Sequence, residues 1–208
     1  MKFYRIYISI NQKILFFLFI WWLRLFYKVK KQEKIKKGKL PLVIVANHVS
    51  LWDNFIILSS LGLFSAKNTW RIPTAKTYYK KFFYRMFFKS VGTYLIEPKG
   101  EILKSIEESV NNLKEGYSMI FFPEGRIAEF GQRGVAKKGI GFLVKEVPVN
   151  IVPVYIKHPG KKFGGLFTTL KNTEVIIGDI IDSEYFIKNY DDDIRSEKIL
   201  DEVWKLNK

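Results

Sequence analysis

Two titratable side chains, an imidazole and a carboxylate, stand five residues apart where a hydrophobic run ends. The stretch LPLVIVANHVSLWD (40–53) passes from a strand-like segment into Asn47 and His48, and then reaches Asp53. A carboxylate that holds an imidazole in one tautomer leaves the second ring nitrogen free to remove a proton from a substrate hydroxyl. Because residues five apart on one helix point about 140° apart, we expect His48 to precede a helix whose first turn contains Asp53.

Asp53 also has a simpler interpretation. Ser50 and Asp53 fit an N-cap serine followed by an acidic residue three positions later, a variant of the capping box. A carboxylate in the first turn is also favoured by the helix dipole. On spacing alone, both a catalytic His48–Asp53 pair and a purely structural cap remain open, and no serine or cysteine nucleophile is apparent beside the histidine.

A second hydrophobic run ends in polar residues in the same abrupt way. In MIFFPEGRIAEFG (119–131), Glu124 and Arg126 follow a strand-like segment. Sites in open α/β sheets form at the carboxyl ends of the strands. If the two strands are neighbours, their polar ends therefore meet at one edge of the sheet and form the mouth of a site. This mouth would contain Asn47, His48, Glu124 and Arg126.

Strand-like and helix-like segments alternate along the rest of the chain. This alternation predicts an α/β fold with a single domain and a mostly parallel central sheet flanked by helices. Pro153, inside one predicted strand, indicates an edge strand or a bulge. The predicted strands are 40–46, 70–75, 91–97, 117–122, 149–156 and 173–181, and the predicted helices are 54–64, 77–89, 100–116, 137–146 and one near 199–206.

Positive charge and aromatic residues are concentrated near the start of the chain. Residues 1–39 hold eleven Lys or Arg against one Glu, and 14–23 are apolar without a break. That run is too short for a transmembrane helix, but Trp21 and Trp22 beside a lysine-rich flank are typical of a segment at a membrane interface. A full span over 3–27 stays possible, although it would have to bury Lys13 and Arg24. We therefore divide the chain into a basic, aromatic membrane-associating helical segment (1–39) and an α/β domain (40–208).

The stretch TYYKKFFYRMFFKS (77–90) repeats this chemistry, with seven aromatic residues among four cations. Interleaved basic and aromatic residues also suit single-stranded nucleic acid. The apolar positions here fall on one face of a helix, which favours a membrane surface, and no nucleic-acid partner is expected. With no cysteine and two histidines, no metal site is expected either.

The ordered motifs resemble the glycerolipid acyltransferases, the family of 1-acylglycerol-3-phosphate acyltransferase. NHVSLWD (47–53) is similar to the family's N-H-x-x-x-x-D block, and FFPEGR (121–126) resembles its F-P-E-G-T-R block. The segments 75–116 and 135–156 resemble the regions between and after these blocks. The order and spacing match over about residues 40–156.

This resemblance implies roles for particular residues. His48 and Asp53 would be the catalytic pair, and Glu124, Gly125 and Arg126 would bind the acceptor. The resemblance also implies an acyl-CoA or acyl-carrier-protein thioester as co-substrate, with no other cofactor, and attachment to a phospholipid membrane through the N-terminal helical region.

The chain departs from the family pattern at two places. The threonine before the motif's arginine is absent, so Arg126 follows Gly125 directly. The segment before the long helix reads IEPKG, with Pro98 where an arginine is common, and Lys99 is expected to take over the grip on a phosphate. Lysine lacks the bidentate fork of arginine. The segment after FFPEGR has two interpretations, a cradle for an anionic donor or a close-packed helix start. The residues concerned are Lys137, Lys138, Gly139 and Gly141.

These observations predict a membrane-associated enzyme at the cytoplasmic face that moves a fatty acyl group to the hydroxyl of a lysophospholipid. The leading acceptor is 1-acylglycerol-3-phosphate, which places the reaction in phospholipid biosynthesis. Two alternatives remain open: another lipid-linked hydroxyl acceptor, or a non-enzymatic basic module that binds membranes or nucleic acid.

Overall fold

The structure is a computed structural model that describes residues 2–31, 41–62, 68–75, 82–96, 102–128, 132–157 and 173–207. Its centre is an eight-stranded sheet, in which seven strands follow the order β1-β7-β6-β2-β5-β3-β4 and β8 pairs with β6. The strands are β1 (Lys28–Lys31), β2 (Leu42–Ala46), β3 (Trp70–Ala75), β4 (Thr93–Ile96), β5 (Ser118–Phe121), β6 (Asn150–Lys157), β7 (Glu174–Ile177) and β8 (Ile181–Asp182).

Helices cover both faces of this sheet. The N-terminal helix, α1, is α-helical over Lys2–Leu15, continues through a π-helical turn at Phe16–Ile20 and ends at Trp21–Leu23. The other helices are α2 (Asp53–Leu61), α3 (Phe82–Ser90), α4 (Ile102–Lys114), α5 (Gly139–Glu146), α6 (Ser183–Asn189) and α7 (Asp192–Trp204).

Strand β2 lies in the middle of the sheet because its sequence, LVIVA, is apolar at every position. It pairs in parallel with β5 on one side and β6 on the other, and all five of its residues are buried. A strand covered on both faces reads as a continuous apolar run of this kind. Leu42, Ile44 and Ala46 pack towards α1 and α2, whereas Val43 and Val45 pack towards α4, α5, α6 and α7.

The predicted fold class is confirmed, since β6, β2, β5, β3 and β4 are all parallel and helices flank them. The end of the helix predicted over 100–116 is confirmed too: α4 ends at Lys114, and Gly116 follows with a φ of 81°. The division of the chain between residues 39 and 40 stays a prediction, because 32–40 lie outside the described residues.

Pro153 does not lie in an edge strand, so that alternative of the prediction is wrong, and the bulge stays a prediction. Its strand, β6, pairs with β2 in parallel and with β7 and β8 antiparallel. The proline falls where pairing passes from β7 to β8, and there its carbonyl accepts a hydrogen bond from Gly178 N–H at 2.9 Å. A residue without an N–H fits at such a break because no ladder hydrogen bond is lost.

Candidate active site

The two polar strand ends predicted from the sequence lie side by side. Strands β2 and β5 are parallel neighbours, with Val45 opposite Phe121, so residues 47–53 and 122–128 leave the sheet at the same edge. Beyond the sheet, the N–H of Ala128 donates to the carbonyl of His48 at 2.7 Å. The two segments therefore remain in contact after the strands end.

Asn47 fastens the end of β2 to its other neighbour. Its side-chain amide donates to the carbonyl of Ile156 at 2.9 Å, and its Oδ1 accepts from the Ile156 N–H at 2.7 Å. Asn47 is buried, and its side-chain amide pairs with the Ile156 backbone as the backbone of one further strand residue would. The asparagine expected at the mouth thus supports the loop that carries His48.

His48 and Asp53 form a hydrogen-bonded pair, with Nδ1 of the imidazole 2.7 Å from Oδ2 of the carboxylate. As predicted, His48 precedes α2 and Asp53 is the first residue of that helix. Asp53 is fully buried, whereas the side chain of His48 is 20% exposed. The imidazole therefore bridges a buried carboxylate and the mouth of the site.

The carboxylate of Asp53 also caps the start of α2. Oδ2 accepts the N–H of Val49 at 2.7 Å and the N–H of Ser50 at 3.0 Å, and Oδ1 accepts the Ser50 hydroxyl at 2.6 Å. Because Oδ2 already accepts two backbone N–H groups, it acts as an acceptor towards His48 as well. Nδ1 therefore carries the proton, and Nε2 is the basic nitrogen.

The ring of His48 is held on its flat side by Phe122. The two ring centroids are 4.1 Å apart and the planes differ by 15°. Among the described residues, none forms a hydrogen bond with Nε2. A fixed tautomer, a fixed ring plane and a free basic nitrogen are the geometry that a general base requires.

Glu124 lies beneath this site with its carboxyl group buried. The residue is 2% exposed, and neither carboxylate oxygen has a hydrogen-bond partner of normal geometry in the described part of the chain. Burial raises the pKa of Glu124, while the Trp204 indole, the Gly134 backbone, His48 and Arg126 each act to lower that pKa. Burial is the largest of these influences, so the net effect on the pKa of Glu124 is upward.

Gly125 turns the chain sharply between Glu124 and Arg126, with a φ of 62° and its N–H bonded to the Phe122 carbonyl at 3.0 Å. A Cβ at this position would lie 2.8 Å from Nζ of Lys137. The absence of a side chain thus lets the Lys137 ammonium lie against the turn.

The exposed side chain of Arg126 lies at the rim of the mouth. Two cations thus lie around the turn that follows Glu124: Lys137 against Gly125, and Arg126 near enough to act on the pKa of Glu124. Lys99, the other predicted substrate-binding residue, lies outside the described residues. The structure therefore brings together five of the six predicted site residues and leaves the sixth undescribed.

The glycine- and lysine-rich segment is mainly a close-packed helix start rather than an anion cradle. The Gly141 N–H donates to the Ser196 hydroxyl at 2.9 Å, and a Cβ there would lie 2.7 Å from that oxygen. Lys138 is paired with Asp193 at 2.5 Å. Only Lys137 of the two lysines is directed to the mouth.

Sequence reasoning missed two neighbours of the predicted residues, Phe122 and Trp204. Phe122 stood inside a quoted motif, but its contact with His48 depends on the register of β2 against β5. Trp204 ends the last helix, 80 positions beyond Glu124, and no local pattern links the two. No group of three potential metal ligands occurs within the described ranges.

Comparison with known proteins assigns the family. A family model described as acyltransferase matches residues 26–157, which include the whole mouth described above. The chain belongs to the acyltransferase family. This assignment confirms the resemblance inferred from the ordered motifs.

Individual relatives of this acyltransferase-family protein agree with the assignment. The chain is 28% identical over 192 residues to a protein named Taffazin from Dictyostelium discoideum, which covers 83% of this chain and 66% of that protein. It is 27% identical over 141 residues to a chloroplastic 1-acyl-sn-glycerol-3-phosphate acyltransferase of Arabidopsis thaliana, covering 65% of this chain and 38% of the relative. The chain thus spans less than two thirds of either relative.

The fold is shared with a solved structure of a protein titled 1-acyl-sn-glycerophosphate acyltransferase, PlsC, from Thermotoga maritima. The TM-score is 0.67 at 20% identity, and the match covers 97% of this chain and 79% of the other. The likeness includes the N-terminal helix as well as the sheet.

Proposed function

We propose that this protein transfers a fatty acyl group from a thioester to the hydroxyl of a lysophospholipid, with 1-acylglycerol-3-phosphate as the acceptor, in phospholipid biosynthesis. The observation that carries this proposal is the imidazole of His48, fixed by Asp53 and Phe122, with Nε2 free at the mouth. The donor is acyl-CoA or an acyl carrier protein. No other cofactor takes part.

The reaction proceeds without a covalent enzyme intermediate. Nε2 of His48 takes the proton from the acceptor hydroxyl while the hydroxyl oxygen attacks the thioester carbonyl carbon. When the carbon–sulfur bond breaks, the imidazolium returns the proton to the departing thiolate, so the base is regenerated. Asp53 stabilises the positive ring during this interval, as a carboxylate does in other base-assisted acyl transfers.

The acceptor's phosphate would bind between Arg126 and Lys137. Lys137 lies against the Gly125 turn, and Arg126 follows that turn directly in the chain. Charge-assisted contacts of this type fix a phosphate more strongly than neutral hydrogen bonds do. Lys99 would add a third cation, as proposed from its position in IEPKG.

The acceptor would come from a membrane, at its cytoplasmic face. The segment Phe3–Leu23 of α1 is long and apolar enough to cross a membrane by length and composition. However, Arg5 and Gln12 point from this helix into hydrogen bonds with the folded domain. To cross the membrane, the helix would have to leave the domain and break these hydrogen bonds. Each polar group then left unsatisfied in hydrocarbon would cost several kcal/mol. We therefore place α1 along the membrane surface.

Purified protein, assayed with a panel of acceptors, tests the proposal. Acyl-CoA and acyl-carrier-protein donors are each offered with lysophosphatidate, lysophosphatidylglycerol and lysophosphatidylcholine, and the diacyl products are measured by mass spectrometry. We expect the highest kcat/KM with lysophosphatidate, because its phosphate monoester is the one that Arg126 and Lys137 can contact most freely. Equal rates with lysophosphatidylcholine would contradict the phosphate site, and products that persist in His48→Ala protein would contradict the mechanism.

A further inference from the structure

The N-terminal helix α1 has two different faces. Residues that point towards the sheet are buried, among them Ile8, Phe16, Ile20 and Leu23. The opposite face carries large apolar side chains that are roughly half exposed or more, where a soluble monomer rarely shows a continuous patch. These exposed residues are Phe3, Tyr7, Ile10, Ile14, Phe17, Leu18, Trp21 and Trp22.

Hydrogen bonds lock α1 in this orientation. The Gln12 amide donates to the carbonyls of Trp70 at 2.7 Å and Val91 at 2.8 Å, and its oxygen accepts the Trp70 N–H at 2.9 Å. About two turns earlier, Arg5 donates to the Glu115 carbonyl at 2.7 Å. The apolar outer face therefore cannot rotate into the core without breaking these contacts.

A second helix, α3, exposes a similar face. Phe82, Phe83, Met86 and Phe87 occupy one side of it and are 62%, 78%, 58% and 44% exposed. Their spacing places them within one arc of the helix, as the sequence predicted. Burial of such side chains needs a partner that the described parts of the chain do not supply.

The two helices that carry these exposed faces are neighbours in the fold, because α1 and α3 contact each other. The junction is Gly92, two residues after α3 ends, with a φ of 86°. A Cβ at Gly92 would lie 2.6 Å from Nε2 of Gln12 and 2.9 Å from Cγ2 of Ile8. The C-terminal turn of α3 thus abuts the middle of α1.

Charge identifies the partner of this surface. Residues 2–31 and 82–90 contain no Asp or Glu, while exposed Lys13, Arg85 and Lys89 lie beside the apolar side chains. Acidic side chains are instead concentrated on α6 and α7, which pack on the other face of the sheet. A basic amphipathic helix with aromatic residues suits an anionic lipid surface.

We propose that the outer face of α3 enters the same leaflet of an anionic phospholipid bilayer as the outer face of α1, so that the two helices together fix the domain on the membrane. This inference rests on the proposed function for its choice of a phospholipid membrane as partner. It makes α3 a second docking element, which is separate from the N-terminal helix in sequence and adjacent to it in space.

Single labels in the full-length protein test this arrangement directly, because the chain contains no cysteine. Phe83→Cys, Phe17→Cys and Ile194→Cys each receive a polarity-sensitive fluorophore, and the third site, on α7, is the control. The proteins are mixed with phosphatidylcholine vesicles that contain phosphatidylglycerol, with and without brominated acyl chains. We expect the emission at Phe83 and Phe17 to shift to the blue and to be quenched, with no change at Ile194. A label at Phe83 that stays in water while the label at Phe17 enters the lipid would overturn the proposal.

A binding measurement with paired variants supplies the second arm. Phe83→Ser with Met86→Ser removes two exposed apolar side chains from α3, and Tyr185→Ser with Ile194→Ser removes two from α6 and α7. We expect the first pair to weaken flotation with the same vesicles by about tenfold or more, and the second pair to leave it unchanged. Equal effects of both pairs would overturn the role of α3.

Acyl transfer in detergent micelles separates this inference from the proposed function. If the α3 pair transfers acyl groups in micelles like the parent protein but does not bind vesicles, docking is impaired and the chemistry is intact. If no variant, nor the parent, shows transfer with any lysolipid, the proposed function fails, and the labels still decide the position of α3. Unimpaired vesicle binding by the α3 pair overturns the docking proposal, whatever the transfer rate is.

Discussion

Nδ1 of His48 and the N–H of Val49 both point to the same carboxylate oxygen, Oδ2 of Asp53, each at 2.7 Å. One oxygen therefore orients the imidazole and caps the helix. The sequence left two interpretations of Asp53 open, a catalytic partner and a helix cap, and the two are compatible. The loop from His48 to Asp53 is short enough for a single carboxylate to reach both the imidazole and the backbone N–H groups. A disturbance of the cap consequently moves the base as well.

The role of His48 as the base predicts a large loss of rate with little loss of stability. His48→Ala should lower kcat by about 10²–10⁴-fold, the range typical for a positioned proton acceptor. The ring lies partly exposed on Phe122, so its removal leaves the core filled. Steady-state kinetics and a melting curve on the same protein check both expectations. A His48→Ala enzyme that remains active would falsify the mechanism.

Asp53→Asn separates orientation from capping. An amide oxygen still accepts the N–H groups of Val49 and Ser50, so we expect a stability loss of about 0.5–2 kcal/mol. The negative charge beside the imidazolium is gone, and kcat should fall by about 10²–10⁴-fold.

Ser50→Ala is the matched comparison for Asp53→Asn. It removes the hydroxyl that donates to Asp53 Oδ1 and accepts from the Trp52 N–H, while His48 keeps its carboxylate. We expect a comparable loss of stability and a much smaller loss of kcat, measured by urea unfolding and initial rates. If both variants lose activity in proportion to stability, Asp53 is only a cap.

The sequence predicted the strand ends of this site because their signals are local. An apolar run followed at once by polar residues marks the end of a buried strand, and this pattern located both His48 and Glu124. The position of Asp53 in the first turn followed from helix geometry alone. Three further predictions, for the strands at 40–46, 70–75 and 117–122, agree with the structure to within two residues.

Other parts of the site depend on contacts between distant segments, which no local pattern carries. Lys137 reaches the Gly125 turn because its N–H bonds to the carbonyl of Pro123 at 2.8 Å. Trp204 comes near Glu124 only when the last helix packs on the sheet. Strand β1 likewise contains three lysines and forms because β7 offers it a parallel edge.

The two cations at the mouth should act on the acceptor and not on the donor. Arg126→Lys and Lys137→Gln should each raise the KM for lysophosphatidate by about tenfold, since charge-assisted hydrogen bonds are weakened or lost. The KM for the thioester should change little. Lys138→Gln is the control, because that lysine pairs with Asp193 away from the mouth. An unchanged acceptor KM in both variants would assign Arg126 and Lys137 a structural role.

Gln12 should stabilise the domain although it lies in the segment predicted to bind membranes. Gln12→Leu removes three hydrogen bonds and leaves polar groups of Trp70 and Val91 without their partner, at a cost of about 1–3 kcal/mol. The neighbouring Asn11→Leu is the control, because the bond that Asn11 makes in the described part of the chain is to the Tyr7 carbonyl of its own helix. Urea unfolding in detergent compares the two, and equal losses would show that Gln12 does not dock the helix. Deletion of 1–27 is a poorer test, since it would also uncover the core.

Glu124 predicts a characteristic dependence of stability on pH. Burial raises the pKa of this carboxyl group above its usual value, so the folded protein binds the proton more tightly than the unfolded chain does. Its contribution to stability is fully present below the pKa of the unfolded state and is lost as pH rises through the folded-state pKa. Glu124→Gln carries no such proton.

The free energy of unfolding of the parent protein, minus that of Glu124→Gln, should therefore fall as pH rises from about 4 to about 8. Urea unfolding at a series of pH values measures this difference. Glu107→Gln, at an exposed position on α4, is the matched control, because it makes the same substitution outside the site. A difference for Glu124 that rises with pH would mean that the folded state favours the charged carboxylate, with Arg126 and His48 outweighing the burial.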